Sequence, residues 1–356
     1  MDLNKLLKQK NEWLSGIGPD SDIVISSRVR LARNLQKMPF PHRDTTQDNI
    51  EIMHAICAVI KKSRFFNKGT ILFLDSCSDL DKQLLLERHL ISKELLLTRA
   101  GSAVAIDESL GLSIMINEED HLRLQILKSG FQLKECWEIL DAVDTEIGNK
   151  LDYAYTPVFG YLTSCPTNVG TGMRASVMLH LPGLVMMDLI NKVMHAVIKL
   201  GMTVRGFYGE GSEFLGNLFQ ISNQVTLGKD ENEILSNIKK VLDLVVEHER
   251  NSRLMMQSKN EEKLRDQIGR AYGILANAHL ISSKETLGLL SALRMGIDLK
   301  YVKNINKRCI NELYIATQPA HLQKQTGKLL EPERRDAIRA ELIRNYLHND
   351  AQKNKP

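Results

Sequence analysis

Up to about Gly228 the chain mixes short β-branched runs with amphipathic helical stretches in no regular order, and beyond it only the helical period survives. That change of rhythm limits the fold more than any other feature of the sequence. The strand-like segments are Ile23-Val24-Ile25 and residues 70–74, 112–117, 161–163, 174–181 and 203–208. The helical ones are 45–63, 80–97 with a break near Ser92, and 184–200, which Gly201 stops. Without a regular β-α-β alternation, this order predicts an α+β arrangement, a largely antiparallel sheet flanked by helices. The helical remainder opens on an apolar stripe, Ile234, Ile238, Val241, Leu242 and Val245. Ser282 with Glu285 reads as a capping box, and Pro332 as the start of a last helix. The charged stretch near residue 250 is the expected boundary between a first domain, residues 1–250, and an all-α one, residues 251–356. Residues 1–21 read as a polar surface covering and 349–356 as a frayed tail.

Composition narrows the class. With 47 basic and 43 acidic side chains the net charge is only +4, too balanced for a nucleic-acid coat or a membrane-surface protein. Cys57, Cys77, Cys136, Cys165 and Cys309 are odd in number, widely spaced and without a C-x-x-C pair, so neither a zinc ribbon nor a thioredoxin-type site is indicated. Free thiols, a polar N-terminus and no apolar run of membrane-spanning length read together as a cytoplasmic protein. No P-loop, protein-kinase, His-Glu-x-x-His or calcium-loop pattern occurs, and Gly209-Glu210-Gly211 lacks the third glycine of a dinucleotide fingerprint.

What the chain does contain is arginine at strand ends and glycine turns: Arg28, Arg30 and Arg33, Arg88 beside His89, Arg123, Arg174 and Arg205. Arg28 and Arg30 alternate by two, so on a strand they share a face. Arg174 follows Gly170-Thr171-Gly172, where a backbone can approach a ligand closely. A guanidinium grips phosphate oxygens through two bonds, and several together could hold a triphosphate without a P-loop. Any one of them alone reads as an ordinary surface arginine. Glu118, Glu119 and Asp120 repel one another at a strand end, and Glu210 lies in a second glycine turn. Such a set is either a solvated acidic turn or a receptor for a cation such as a guanidinium. Cys165, before Pro166, reads either as a small buried hydrophobe or as a thiol activated by backbone N–H groups.

Three phrases in this order, Ser26-Ser27-Arg28-Val29-Arg30, Asn117-Glu118-Glu119-Asp120-His121-Leu122-Arg123 and Cys165-Pro166-Thr167-Asn168-Val169-Gly170-Thr171-Gly172-Met173-Arg174, resemble the ATP:guanido phosphotransferases, the superfamily of creatine and arginine kinases. The resemblance covers residues 20–250. Gly160-Tyr161-Leu162-Thr163-Ser164, the run from Arg205 to Glu213, and Arg335-Asp336-Ala337-Ile338-Arg339-Ala340 resemble the bacterial protein-arginine kinase branch and extend it over nearly the whole chain. The resemblance implies a guanido-kinase catalytic fold. It implies that Arg28, Arg30, Arg123, Arg174 and Arg205 bind ATP phosphates within a nucleotide site that also takes in Ser26, Ser27, Val29, His89, Ala175, Ser176, Val177, Met178 and the run Gly206-Phe207-Tyr208-Gly209-Glu210. Glu119 would hold the substrate guanidinium with support from Glu118, Cys165 would sit beside it, and Glu210 would act as general base. Mg2+ would arrive with the nucleotide, with no metal site of the protein's own. Arg335, Asp336, Ala337, Ile338, Arg339 and Ala340 would form an allosteric phosphoarginine site. The partners implied are proteins bearing an exposed arginine, an activator protein, a Clp-type protease that receives the marked proteins, and a second copy in a homodimer; neither nucleic acid nor membrane is expected. Only about two dozen residues precede the first motif, too few for the small-substrate domain of phosphagen kinases, which leaves room for a protein-borne arginine.

Overall fold

The computed structural model describes residues 6–7, 9–97, 100–206 and 214–353. Eight strands form one sheet: β1 (Val24–Arg33), β2 (Thr70–Phe73), β3 (Ala103–Ile106), β4 (Leu112–Ile116), β5 (Leu122–Ser129), β8 (Met173–His180), β9 (Met202–Gly206) and β10 (Leu218–Asn223). Their spatial order is β2-β3-β4-β5-β1-β8-β10-β9, and every pairing is antiparallel. A separate hairpin, β6 (Tyr155–Thr156) and β7 (Gly160–Tyr161), projects beside it. The α+β class with a largely antiparallel sheet is therefore the observed one.

The pleat sorts residue types between the two faces. Val29 and Leu31 on β1, Leu124 and Ile126 on β5, Ala175 and Val177 on β8 and Ile221 on β10 bury into the main core. The helices that cover that face include α1 (Thr46–Ile60), α3 (Leu133–Gly148) and, later in the chain, α6 (Glu231–Lys259). Helix α1 starts cleanly because Thr45 and Asp48 bond reciprocally across its first turn. The opposite face carries Ser26, Arg28 and Arg30 on β1, and the functional residues collect there.

Helix α2 (Asp79–Glu87) sits under a third, smaller core around Leu84, Leu85 and Val104. The helix expected over residues 184–200 is two, α4 (Pro182–Met186) and α5 (Ile190–Lys199), because Asp188 between them turns left-handed at φ 55°. After α6 come α7 (Glu261–Asn277), α8 (Ser283–Asp298), α9 (Lys307–Ala316), α10 (Pro319–Thr326) and α11 (Pro332–Lys353). Helix α6 runs unbroken through residue 250, and the backbone turns only at Asn260, which ends α6 and precedes α7. Within that helix the charged stretch near residue 250 is divided, with Glu249 and Arg253 buried and Arg250 on the solvent side.

The C-terminal helices share a second core with the sheet. Leu287, Leu290 and Leu293 of α8 pack with Leu127, Met178 and Leu218. Trp13 and Leu14 join this core, and Leu6 joins the third, so the N-terminal segment is pinned inside the molecule rather than spread over its surface. No helix among the described residues is long and apolar enough to cross a membrane.

Candidate functional site

The turn between β4 and β5 is the Asn-Glu-Glu-Asp-His phrase. Asn117 adopts φ 55° and donates from Nδ2 to the carbonyls of Asn49 (2.8 Å) and Gly101 (2.9 Å), which locks the start of the turn. Glu118 is buried and accepts from the Glu119 N–H (2.8 Å), from Ser92 Oγ (2.5 Å) and from Arg123 Nη1. Glu119 reaches Arg123 Nη2 at 3.4 Å but stays partly open to solvent. Burial raises the Glu119 pKa; Arg123 pulls it down, Glu118 and Asp120 push it up again, and the net shift is upward. Burial works against the charge of Arg123 too, but Glu118, Glu119 and Asp120 outweigh it and hold its pKa above the ordinary value. A further cation beside Glu119 would relieve the repulsion among these carboxylates.

The arginines gather next to this turn. Across the ladders Arg30 is paired with Arg174, Arg28 with Ser176, Ala32 with Arg123, and Arg205 with Gln220. Burial lowers the pKa of Arg28 to about 10, helped by Arg123, Arg174 and Arg205. Arg30 is lowered as well, first by burial and then by Arg28, Arg123 and Arg174, and its Nε is buried with no hydrogen-bond partner. Arg28 makes one long bond, Nε to Ser176 Oγ at 3.4 Å. Guanidiniums that destabilise one another's charge around an unsatisfied donor form a receptor for a polyanion, and a triphosphate fits that demand.

A small cavity opens beside Arg28, lined by Trp13, Ser26, His89, Ser176 and Met178. His89 holds φ 58°, meets Trp13 edge-on at 5.4 Å between ring centres, and is kept neutral, its pKa pushed to about 3 by burial and by Arg28. The pleat divides the runs expected to touch nucleotide. Ser26, Arg28, Arg30, Arg174, Ser176 and Met178 share the site face. Ser27, Val29, Ala175 and Val177 alternate to the other side, where Ser27 Oγ donates to the Gly130 carbonyl (2.8 Å) and accepts from the Gln132 N–H (2.9 Å).

Cys165 heads a short 3-10 turn, Pro166–Asn168, with its Sγ 2.9 Å from Thr167 Oγ1. Asp120 fastens this loop to the carboxylate turn: its Oδ1 accepts from the Ser164 N–H (2.7 Å) and from Asn34 Nδ2 (2.6 Å). Asn34 also donates to the Leu162 carbonyl (3.2 Å) and accepts from the His121 N–H (2.9 Å). Asp120, grouped with the glutamates by sequence, is thus a buried tie, and Asn34 is a hub with no signal in a single sequence. Gly170 (φ 112°) and Gly172 (φ 64°) do not make room for a ligand. A Cβ there would strike the Thr226 carbonyl or the Ala32 carbonyl at about 2.5 Å, so these glycines let the loop press against neighbouring backbone.

Two other arginines of the strand-end set, outside the five assigned to phosphate, are structural. Arg33 points to the core face, bonds Asp144 Oδ2 through Nε (3.0 Å) and Nη2 (2.7 Å), and lies 3.4 Å from the Tyr161 ring centre. Arg88 is buried and donates to the carbonyls of Leu6 and Gln9. Phe207, Tyr208, Gly209, Glu210 and the rest of that run to Glu213 lie outside the described residues, so the base assigned to Glu210 rests on sequence.

Far along the chain, Arg335, Asp336 and Arg339 share a face of α11. Arg339 is buried and donates to the carbonyls of Thr317 (2.9 Å, from Nε) and Ile281 (2.9 Å, from Nη1) and to Asp336. It fastens α11 to the end of α9 and to the α7–α8 connection. Arg335 is half-buried and donates from Nη1 to the Leu330 carbonyl (3.0 Å). Ala340 packs into the second core with Ile338 against it, and Ala337 is half-buried.

Residues 51–252 match the ATP:guanido phosphotransferase, C-terminal catalytic domain. The chain belongs to the ATP:guanido phosphotransferase family. Residues 261–356 match a second model, the protein-arginine kinase McsB C-terminal domain. The chain is 44% identical over 349 residues to a protein-arginine kinase of Halothermothrix orenii, covering 98% of this chain and 100% of that one. It is 47% identical over 339 residues to the protein-arginine kinase of Brevibacillus brevis, 95% of each. Among solved structures, a duplicated taurocyamine kinase from Schistosoma mansoni superposes with a TM-score of 0.60 at 26% identity, covering 66% of this chain and 34% of that one. A lombricine kinase superposes with a TM-score of 0.59 at 23% identity, covering 68% and 71%, and shows the shared fold. As a member of this family the chain is a kinase, a phosphotransferase of the phosphagen-kinase type.

Proposed function

We propose that this ATP:guanido phosphotransferase acts on arginine side chains of proteins, transferring the γ-phosphoryl of ATP to a guanidinium nitrogen. The observation that carries the reading is the set of mutually repelling arginines on one sheet face, joined through Arg123 to the Glu118–Glu119 turn. One end of that surface suits a triphosphate and the other a guanidinium. The relatives named protein-arginine kinase, matched over 95% or more of their length, support a protein-borne acceptor. In the step, a guanidinium nitrogen bonds Pγ in line as the bond to the ADP oxygen breaks. Arginine is too basic to be deprotonated beforehand. Glu210 accepts the nitrogen's proton as the N–P bond forms, while Glu119 holds the guanidinium plane with Cys165 beside it. Mg2+ arrives on the triphosphate and, with the arginines, offsets the charge on the transferring group.

The helical remainder, residues 251–356, is read as the regulatory part. Arg335 and Asp336 are its phosphoarginine contacts, with Arg339 holding the helix in place beneath them. Calorimetry with free phosphoarginine should show binding to the wild type and none to Arg335→Ala, a change at a half-buried residue that leaves the Arg339–Asp336 pair intact. An activator protein, hand-over to a Clp-type protease, a homodimer and a cytoplasmic setting complete the proposal and rest on the family resemblance alone.

The deciding experiment is mass spectrometry without acid, since a P–N bond is acid-labile, after incubation of ATP with a folded protein substrate or with free arginine. Phosphoarginine in the protein, absent with Glu210→Gln, is the expected result. Phosphorylation of free arginine alone would assign the chain to the small-molecule kinases that its structural neighbours represent. Absence of both would leave a non-catalytic phosphoarginine reader.

A further inference from the structure

Behind the catalytic loop runs a strap, residues 223–226. Asn223 Oδ1 accepts from the Ala175 N–H (2.8 Å), and its Nδ2 donates to the Met173 carbonyl (3.0 Å). One buried side chain thus grips the backbone on both sides of Arg174. Thr226 Oγ1 lies 2.9 Å from the Thr167 carbonyl and 2.7 Å from that of Val169, in the loop headed by Cys165. The strap sets the position of both a phosphate arginine and the loop beside the guanidinium.

Its outer side is open. Residues 223–225 line a groove of about 430 Å3, walled on one side by the turn from Leu200 to Met202 after α5 and on the other by α6. Helix α6 offers Ile234, Asn237, Val241 and Leu244 at helical spacing, a stripe about 15 Å long at 1.5 Å per residue. Leu200, Val225 and Leu244 are each about half exposed, as are Ile198 and Leu227, their near neighbours in the chain. Single exposed apolar side chains are normal, but a cluster around a concave floor marks a binding surface. Lys229 and Lys240 border the groove, and among the described residues no carboxylate lines it; Lys229 also reaches Glu233 at 3.6 Å.

We propose that this groove docks an amphipathic helix of a partner protein, its apolar face against Leu200, Val225 and Leu244 and its carboxylates against Lys240 and Lys229. A groove with the α6 stripe on one side and the Leu200–Met202 turn on the other leaves room for one more helix alongside α6, and the lysine border selects an acidic one. Because the floor of the groove is the strap, a docked helix changes phosphoryl transfer through Asn223 and Thr226.

The test uses the full chain and two fluorescent peptides of about four helical turns. Both carry leucines along one face; one has flanking glutamates and the other flanking lysines. Anisotropy should show the glutamate peptide binding at least about tenfold more tightly, with that binding lost in Leu244→Glu and the preference reversed in Lys240→Glu. The bound peptide should alter the steady-state rate of phosphoryl transfer, and Thr226→Val should keep the binding but lose that response. Equal affinity for both peptides, or binding indifferent to Leu244→Glu, would overturn the docking site. A wild-type dimer in light scattering that Leu244→Glu dissociates would overturn it too, by assigning the groove to a second copy. Binding with an unchanged rate would overturn the coupling through the strap. Anisotropy needs no turnover, so failure of the assigned activity is read separately.

Discussion

Arg30 and Arg174 face each other across the β1–β8 ladder, two like charges in one row of a sheet, an arrangement that costs stability and that a shared anion would relieve. What matters at such a position is the planar two-pronged grip as much as the charge. Arg174→Lys should therefore lower kcat/KM by about 10- to 100-fold, the worth of a charge-assisted bond of about 1.5–3 kcal/mol, and steady-state kinetics in ATP will show it. Full activity in that variant would remove Arg174 from the phosphate site. The same residue type does a different job three positions after Arg30. The Arg33–Asp144 pair is almost fully buried, so Asp144→Ala leaves a charge without its partner and should cost about 3–5 kcal/mol in urea unfolding. A loss below 1 kcal/mol would mean the pair is not what holds α3 to β1.

Elements decide which of these residues meet. The β4–β5 turn depends on Asn117 tolerating a left-handed backbone, and on His121 accepting from the Leu35 N–H (2.9 Å) while its Nε2 donates to the Pro39 carbonyl (3.0 Å). That arrangement needs a neutral ring, and burial pushes the His121 pKa down to about 4. The sign follows: between pH 6.5 and about 4 the unfolded chain binds a proton that the folded one refuses. Stability is therefore fully present above pH 6.5 and falls as pH drops through the window, by on the order of 3 kcal/mol for this ring. Urea melts at pH 7 and pH 4.5 should show a steeper loss in the wild type than in His121→Asn, whose amide can still accept from Leu35. Equal slopes would show that the ring is protonated in the fold.

At the scale of the whole molecule, the helical half is built into the sheet. Arg294 of α8 is fully buried and donates to the carbonyls of Ser21 (2.7 Å) and Asp22 (3.0 Å), and it lies 3.0 Å from His180 Nδ1 at the end of β8. Arg253 of α6 bonds Glu249 and donates to the backbone carbonyl of His180 (3.2 Å). Cutting after Lys259 would remove Arg294 while leaving Arg253 in place, and would expose Leu127, Met178 and Leu218. Scanning calorimetry of the full chain should give a single transition with equal calorimetric and van't Hoff enthalpies, and the shortened chain should melt at lower temperature. Two separate transitions would show instead that the halves fold independently.

The antiparallel α+β class was legible because strand and helix periods are local, set by which residues a pleat or a helical turn brings to one side. The candidate site was legible in part for the same reason: residues two apart on a strand share a face, so Arg28 and Arg30 had to lie on the same side of the sheet. The motif phrases carried the rest through family resemblance. Sequence periodicity did not separate the helix break at Asp188, because a left-handed aspartate leaves no mark on the apolar pattern. It could not tell Arg33 from Arg30 either, since a buried arginine and a ligand-seeking one are the same residue until their neighbours are known. Asp144, 111 residues away, claims one; Arg28, Arg123 and Arg174 leave the other demanding an anion. The roles of Asn34, Asp120, Asn223 and Thr226 were decided by tertiary structure alone, because a hydrogen bond between distant segments depends on where the whole sheet puts them.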